Sequence, residues 1–231
     1  MNRFPSALLA LLVLAGCDRH APAAPRPAEQ RPTLLLLTSL PIVFGETFGL
    51  EGGSAALTRL ESRYKVKTIS VTDAPSLKGA KLIFAAHPNA QPAEDLIELD
   101  KWARGGGHLL LLADPMLEWR SARPLGDRLR PPPGFADTGL LAHWGMRLDA
   151  PDARGPIEMT LGARRVLVAS PGRLVGQCPT EGDGLVAHCE IGRGKVTIIA
   201  DADFLDERGV EGATGAGNLD WLMSELANLE L

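Results

Sequence analysis

Three aspartates stand where an α/β sheet could use them. Asp114 follows the apolar run 108–113, and Asp201 and Asp203 follow the apolar run 195–200. In open α/β sheets the carboxyl ends of the strands line the crevice where ligands bind. Carboxylates gathered there can hold Mg²⁺ or Ca²⁺ through hard oxygen ligands, or move protons. The same residues have a simpler use. An aspartate before proline, as in Asp114-Pro115, organises a turn, and Asp203 or Asp206 can cap helical structure. The simpler use is the expectation, so no metal, cofactor or catalytic residue is assigned. His87 closes another apolar run, 82–86, and is the fourth crevice candidate. A single histidine at a strand end with no evident partner reads as structural.

Nucleophiles are missing where catalysis would need them. The turn after residues 82–86 reads His87-Pro88-Asn89, without a thiol. No GxSxG exists, and Ser170 lies in Ala-Ser-Pro-Gly, a turn. Beyond residue 17 the cysteines are Cys178 and Cys189. In an oxidising compartment these two are expected to form a disulfide. A zinc site adding His188 is the weaker reading, because there is no CxxC and neighbours on a strand face opposite sides. Residues 49–54, GLEGGS, lack the Lys-Ser/Thr ending of a phosphate-binding loop, so their glycines are read as loop residues. Arg120, Arg123, Arg128 and Arg130 could meet an anionic partner or headgroup, but a solvated loop is the simpler expectation.

The elements that must position these residues follow from periodicity. Residues 82–86 form a strand, 92–104 a helix with Leu96, Leu99 and Ala103 on one face beside Trp102, and 108–113 a second strand. Gly105-Gly106-Gly107 stops the helix. Strands apolar on both faces, joined through a helix, make a parallel βαβ crossover in a covered sheet. Upstream, 33–37 and 65–71 read as strands around a helix, 55–63, capped by Ser54. Asp73-Ala74-Pro75 reads as a turn. Residues 116–133 leave the pattern as a long excursion ending Pro131-Pro132-Pro133. A short helix, 139–144, is capped by Asp137 or Thr138. From 157 the texture becomes β: 157–161, 165–169, 174–177, then a hairpin of 185–191 and 195–200 around Gly192-Arg193-Gly194. The second arm is apolar enough to rejoin the central sheet. A last helix, 218–229, aligns Leu219, Leu222, Met223 and Leu226.

Composition bounds the rest. At 231 residues, 45% hydrophobic and 23% charged, the chain is an ordinary globular one. A net charge of −4 argues against nucleic acid, and 5% aromatics against a stacking surface. Residues 1–17 read as a leader: a positive start, an apolar stretch too short to span a bilayer, then Leu14-Ala15-Gly16-Cys17. That ending resembles the lipobox of bacterial lipoproteins, which implies a lipid on Cys17 and a periplasmic domain anchored to the membrane. Asp18 resembles an inner-membrane retention signal. Residues 18–32, with Pro22, Pro25, Pro27 and Pro32, are expected to be a semi-extended tether, leaving 33–231 as one α/β domain.

Two segments carry a family resemblance. LIFAAHPNAQPAEDLIELDKWARGGGHLLLLADPM, residues 82–116, resembles the extracytoplasmic domain of the GldG-like family, the ABC-type uncharacterised transport system domain. LLAHWGMRL, residues 140–148, is similar to the short helix that follows there. GKVTIIADADFL, residues 194–205, is similar to the end of such domains and of related DUF4350-type domains. The resemblance implies a three-layer sandwich around a mostly parallel sheet, flavodoxin-like and close to class I glutamine-amidotransferase-like domains, into which the β-textured residues from 157 are expected to fit as a β-rich C-terminal insertion. It implies a non-catalytic accessory role beside ABC-transporter subunits. Members commonly hang from transmembrane helices, where this chain would use a lipid. The alternative is a hydrolase or amidotransferase-like enzyme using Asp114, Asp201 and Asp203.

Overall fold

A computed structural model describes residues 23–44, 53–206 and 217–230. The leader, Cys17 and most of the glycine loop at 49–54 lie outside them. Eleven strands form among the described residues: β1 (Thr33–Thr38), β2 (Lys65–Ile69), β3 (Leu82–Ala86), β4 (His108–Leu112), β5 (Met146–Asp149), β6 (Pro156–Leu161), β7 (Arg164–Ala169), β8 (Arg173–Gly176), β9 (Thr180–Glu181), β10 (Val186–Ile191) and β11 (Gly194–Ile199). The helices are α1 (Ala55–Glu61), α2 (Ala74–Leu77), α3 (Ala93–Arg104), α4 (Leu140–His143) and α5 (Asn218–Asn228).

Seven strands make one sheet in the order β2-β1-β3-β4-β11-β10-β9. The five from β2 to β11 run parallel, and β10 and β9 are antiparallel additions at one edge. The apolar runs explain the burial. With a side-chain period of two, Leu34 and Leu36 of β1 enter the core on one face, and Leu35 and Leu37 the core on the other. Phe84 and Ile83 of β3, and Leu110 and Leu109 of β4, divide in the same way. Residues of α1 and α5 pack into the first core, residues of α2, α3 and α4 into the second. Strands covered on both faces need apolar residues throughout, which is what β1, β3 and β4 supply.

Several expectations hold locally. Ser54 caps α1, its Oγ accepting from Leu57 N at 3.1 Å. Gly139 holds the N-cap position of α4, and Asp137 rather than Thr138 supports the turn from before it, accepting from Gly139 N and Leu141 N. Residues 192–194 turn the β10–β11 hairpin, and β11 joins the central sheet beside β4. Leu219, Leu222, Met223 and Leu226 are all buried.

Others are corrected. The turn at 73–75 opens a one-turn helix, α2, because the Asp73 side chain accepts from Ser76 N and Pro75 suits the first helical turn. The Pro-rich stretch is not a free tether along its whole length. Arg26 N donates to Ser62 O, residues Ala28–Gln30 form a 3₁₀ turn, and the Arg26 guanidinium pairs with Glu230 at 2.5 Å. Arg63 and Tyr64 converge on the same Glu230 carboxylate. The β-rich segment forms two small antiparallel pairs, β5–β8 and β6–β7, that stand outside the main sheet and precede its last parallel strand, β11. Among the described residues no helix is long and apolar enough to cross a membrane.

Candidate functional site

The sheet gathers the three aspartates. β4 and β11 are parallel neighbours, with Leu112 opposite Ile199, so the residues just past their carboxyl ends meet. Oxygens of Asp114, Asp201 and Asp203 all lie within 4.8 Å of one another. Asp114 and Asp201 are fully buried, and Asp203 is 4% exposed. Glu118, in the excursion after β4, donates its backbone N to Asp203 Oδ2 at 2.8 Å, and its carboxylate, bonded to Ser170, acts on Asp114 and Asp203 through its charge. Sequence patterns gave no cue to Glu118. It lies in a segment without periodicity, and only the sheet brings it near Asp203.

Five carboxylate oxygens of the three aspartates receive a backbone N–H. Asp114 accepts from Met116 N and Ala202 N, both at 2.8 Å. Asp201 accepts from Ala169 N at 2.9 Å and Phe204 N at 3.0 Å. The 3₁₀ turn Asp203–Leu205 is therefore tied by Asp201, while Asp203 holds the excursion. These bonds pin four chain segments to one point: the exits of β4, β7 and β11, and the start of the excursion.

Burial sets the protonation. Desolvation lifts Asp114 to about 6, against the pull of the backbone N–H groups it accepts and with a further push from Glu118. Asp203 is pushed up to about 8 by desolvation and then by the charge of Asp114. Asp201 also moves well above the ordinary range, by desolvation first and then by its two aspartate neighbours. Several carboxyls packed together in low dielectric cannot all ionise, so protons stay on the group near neutral pH.

The crevice expected above these strand ends is filled by the chain itself. In the excursion, Leu117 N bonds Pro133 O at 3.0 Å, Phe135 N bonds Asp114 O at 2.6 Å, and Leu117 and Trp119 pack on the first core. Ser170, read as a turn residue, adopts φ 49° and donates from Oγ to Glu118. His87 belongs to this cover and not to the carboxylate group. Its Nε2 donates to Pro132 O at 3.0 Å, which leaves Nδ1 buried without a partner, and burial lowers its pKa. The arginine-bearing excursion is therefore a lid fixed by hydrogen bonds at its base, and not only a solvated loop.

The cysteines pair. Cys178, in the loop before β9, bridges to Cys189 of β10 with a Cα–Cα separation of 5.0 Å. That removes the zinc reading, because the two sulfurs are consumed and His188 faces Thr197 and Glu181. A hollow of about 580 Å³ lies beside the disulfide along β10 and β11, and one of about 680 Å³ among β5, β8 and β9; neither is lined by Asp114, Asp201 or Asp203.

Among solved structures the chain is similar to the mmIFT52 N-terminal domain, at 15% identity and a TM-score of 0.51, over 87% of this chain and 99% of that one. It is also similar to the exo-β-1,4-mannosidase Op5Man5 of Opitutaceae bacterium strain TAV5, at 16% identity and a TM-score of 0.50, over 86% of this chain. It spans only 36% of the mannosidase. A β-galactosidase of Rahnella sp. R3 aligns at 10% identity and a TM-score of 0.47, over 87% of this chain and 32% of that one. At such identities the likeness to the first two is one of fold alone. No family model and no curated protein matches the chain.

Proposed function

We propose that this chain is a non-catalytic, lipid-anchored periplasmic binding domain that works as an accessory of an ABC-type transport system, most simply at the inner membrane. The observation that carries the non-catalytic part is the use of the strand-end carboxylates. Asp114, Asp201 and Asp203 accept five backbone N–H groups and lie under the chain's own excursion. A catalytic carboxylate must reach a substrate proton directly or through one water. The Cys178–Cys189 bridge fits an oxidising compartment and so supports the periplasmic reading. The parallel strand order β2-β1-β3-β4-β11 supports a flavodoxin-like sandwich, in which the β5–β8 segment is an insertion. The likeness to a complete N-terminal domain supports a unit that folds alone. The rival reading, a hydrolase using the same aspartates, draws on their elevated pKa values, but these follow from burial.

The test is chemical crosslinking in intact membranes, with partners identified by mass spectrometry. Recovery of transporter subunits is the expected result. Recovery of none, together with metal-dependent turnover by the purified protein, would replace this reading with the hydrolase. A Cys17→Ser chain is expected to leave the membrane fraction.

A further inference from the structure

The excursion covers the aspartates with its base and presents something different at its tip. Two tight turns follow one another there. Asp127 N bonds Pro124 O at 3.2 Å, and Arg130 N bonds Asp127 O at 3.0 Å. The Asp127 side chain fastens the second turn through Leu129 N at 2.8 Å, and Arg130 reaches back to Arg123 O. Each turn holds a leucine outward. Leu125 is 87% exposed and Leu129 67%. Exposed leucines on a hydrogen-bonded turn are apolar surface the fold has left uncovered.

Charge and shape at the tip narrow what could cover it. Residues 120–130 carry four arginines against one aspartate, in a chain whose net charge is −4, and that aspartate, Asp127, pairs with Arg123 at 3.6 Å, leaving the tip net positive. Arg120 and Arg128 are exposed. Beside Leu125 lies a pocket of about 230 Å³, walled by Leu117, Trp119 and Pro131–Pro133 with Arg130 and Asp127 among its lining. A tryptophan- and proline-walled pocket beside arginines suits one apolar side chain flanked by carboxylates.

Position separates a protein from a bilayer. The described chain begins beside Ser62 and Arg63, where α1 ends, at the amino end of the parallel strands. The excursion leaves β4 at the opposite, carboxyl end. From Ala23 back to Cys17 the chain reaches about 20 Å when fully extended, while the sheet alone is about 17 Å tall. On the tethered reading above, the tip therefore lies at the end of the sheet remote from the anchor's attachment.

We propose that residues 116–133 form a docking surface for an acidic segment of a partner protein, which seats an apolar side chain in the Trp119 pocket and lays carboxylates against the arginine-rich tip around the exposed Arg128. The choice of protein over lipid rests on the tethered reading; the surface itself does not.

The probe is a fluorescently labelled peptide of about twelve residues, alternating Glu with Leu and Phe. Controls replace Glu by Lys, or Leu and Phe by Ser. Anisotropy is measured with the purified full chain in detergent. The acidic apolar peptide should bind at least about tenfold more tightly than either control. Leu125→Ser/Leu129→Ser and Arg128→Glu should each weaken it about tenfold. Both change exposed positions, so unchanged thermal unfolding would show that the fold is kept. Raising salt from about 50 to 300 mM should weaken binding further. Equal binding of all three peptides, or indifference to both variants, would overturn the proposal. So would a photo-crosslinking residue at position 125 that labels phospholipid, or a second copy of this chain, in native membranes. If Cys17→Ser stayed membrane-bound, the tether reading would fail while the peptide result stood.

Discussion

Asp203→Asn tests whether the strand-end group is a buried, proton-holding knot. In the folded chain Asp203 holds its proton up to about 8, against 3.8 for an ordinary aspartate. The folded state therefore binds one more proton than the unfolded state between about pH 4 and pH 8. Stability from this group is fully present below the unfolded value and is lost as pH rises through the folded one. One proton is worth about 1.4 kcal/mol per pH unit, so moving from pH 5 to pH 7 costs up to about 2.7 kcal/mol. Asp114 and Asp201 share the repulsion, so a loss of about 1.5–2.5 kcal/mol is expected, or roughly 4–10 °C in Tm for a chain of this size. Asn keeps an oxygen to accept Glu118 N–H and cannot ionise. The stability of Asp203→Asn relative to wild type should rise by about 2–3 kcal/mol between pH 5 and pH 7.5. His87 works in the opposite direction, because its lowered pKa favours the fold as pH rises toward 6.5, but it cancels in the difference between variant and wild type. Calorimetric scans at four pH values between 5 and 8 give that difference. A variant destabilised equally at every pH, or a wild type that gains stability relative to the variant as pH rises, would show that no buried proton sits on this group.

Reduction of Cys178–Cys189 opens a link between residues 11 apart. It should cost about 3 kcal/mol by loop-closure entropy, read as a lower Tm in dithiothreitol with no change in a Cys178→Ser/Cys189→Ser chain. Glu230→Gln removes the charge that Arg26, Arg63 and Tyr64 share. It should cost about 1–3 kcal/mol and expose residues 23–32 to limited proteolysis. At Gly194 a Cβ would meet Ala103 O and Gly107 O at 2.2 Å, both backbone atoms. Gly194→Ala should therefore destabilise by at least about 1–3 kcal/mol, seen as a lower midpoint in urea.

The parallel sheet was legible because its strands are buried on both faces. Residues 33–37, 82–86 and 108–112 are nearly all leucine, isoleucine, phenylalanine or alanine, and a helix with a clear inward stripe joins the last two. The grouping of Asp114 with Asp201 and Asp203 was legible too, since parallel strands end at one rim. What fills that rim was not. The bonds from residues 117, 118 and 135 and to Pro132 O use backbone atoms, which carry no side-chain pattern. The docking of residues 23–32 was hidden for a similar reason. Proline-rich composition signals an extended chain, whereas the contact depends on Glu230, two hundred residues away. The cysteine pair was predictable in partner but not in geometry, because Cys178 sits in a loop and not on a strand.

Amide hydrogen exchange at Met116, Glu118, Ala169, Ala202 and Phe204 bears most directly on the central claim, that the strand-end carboxylates are spent on the chain's own backbone. Exchange should be slow at all five, tracking the stable core and unchanged by millimolar Mg²⁺ or Ca²⁺. Exchange at free-loop rates, or protection that appears only when the cation is added, would contradict it.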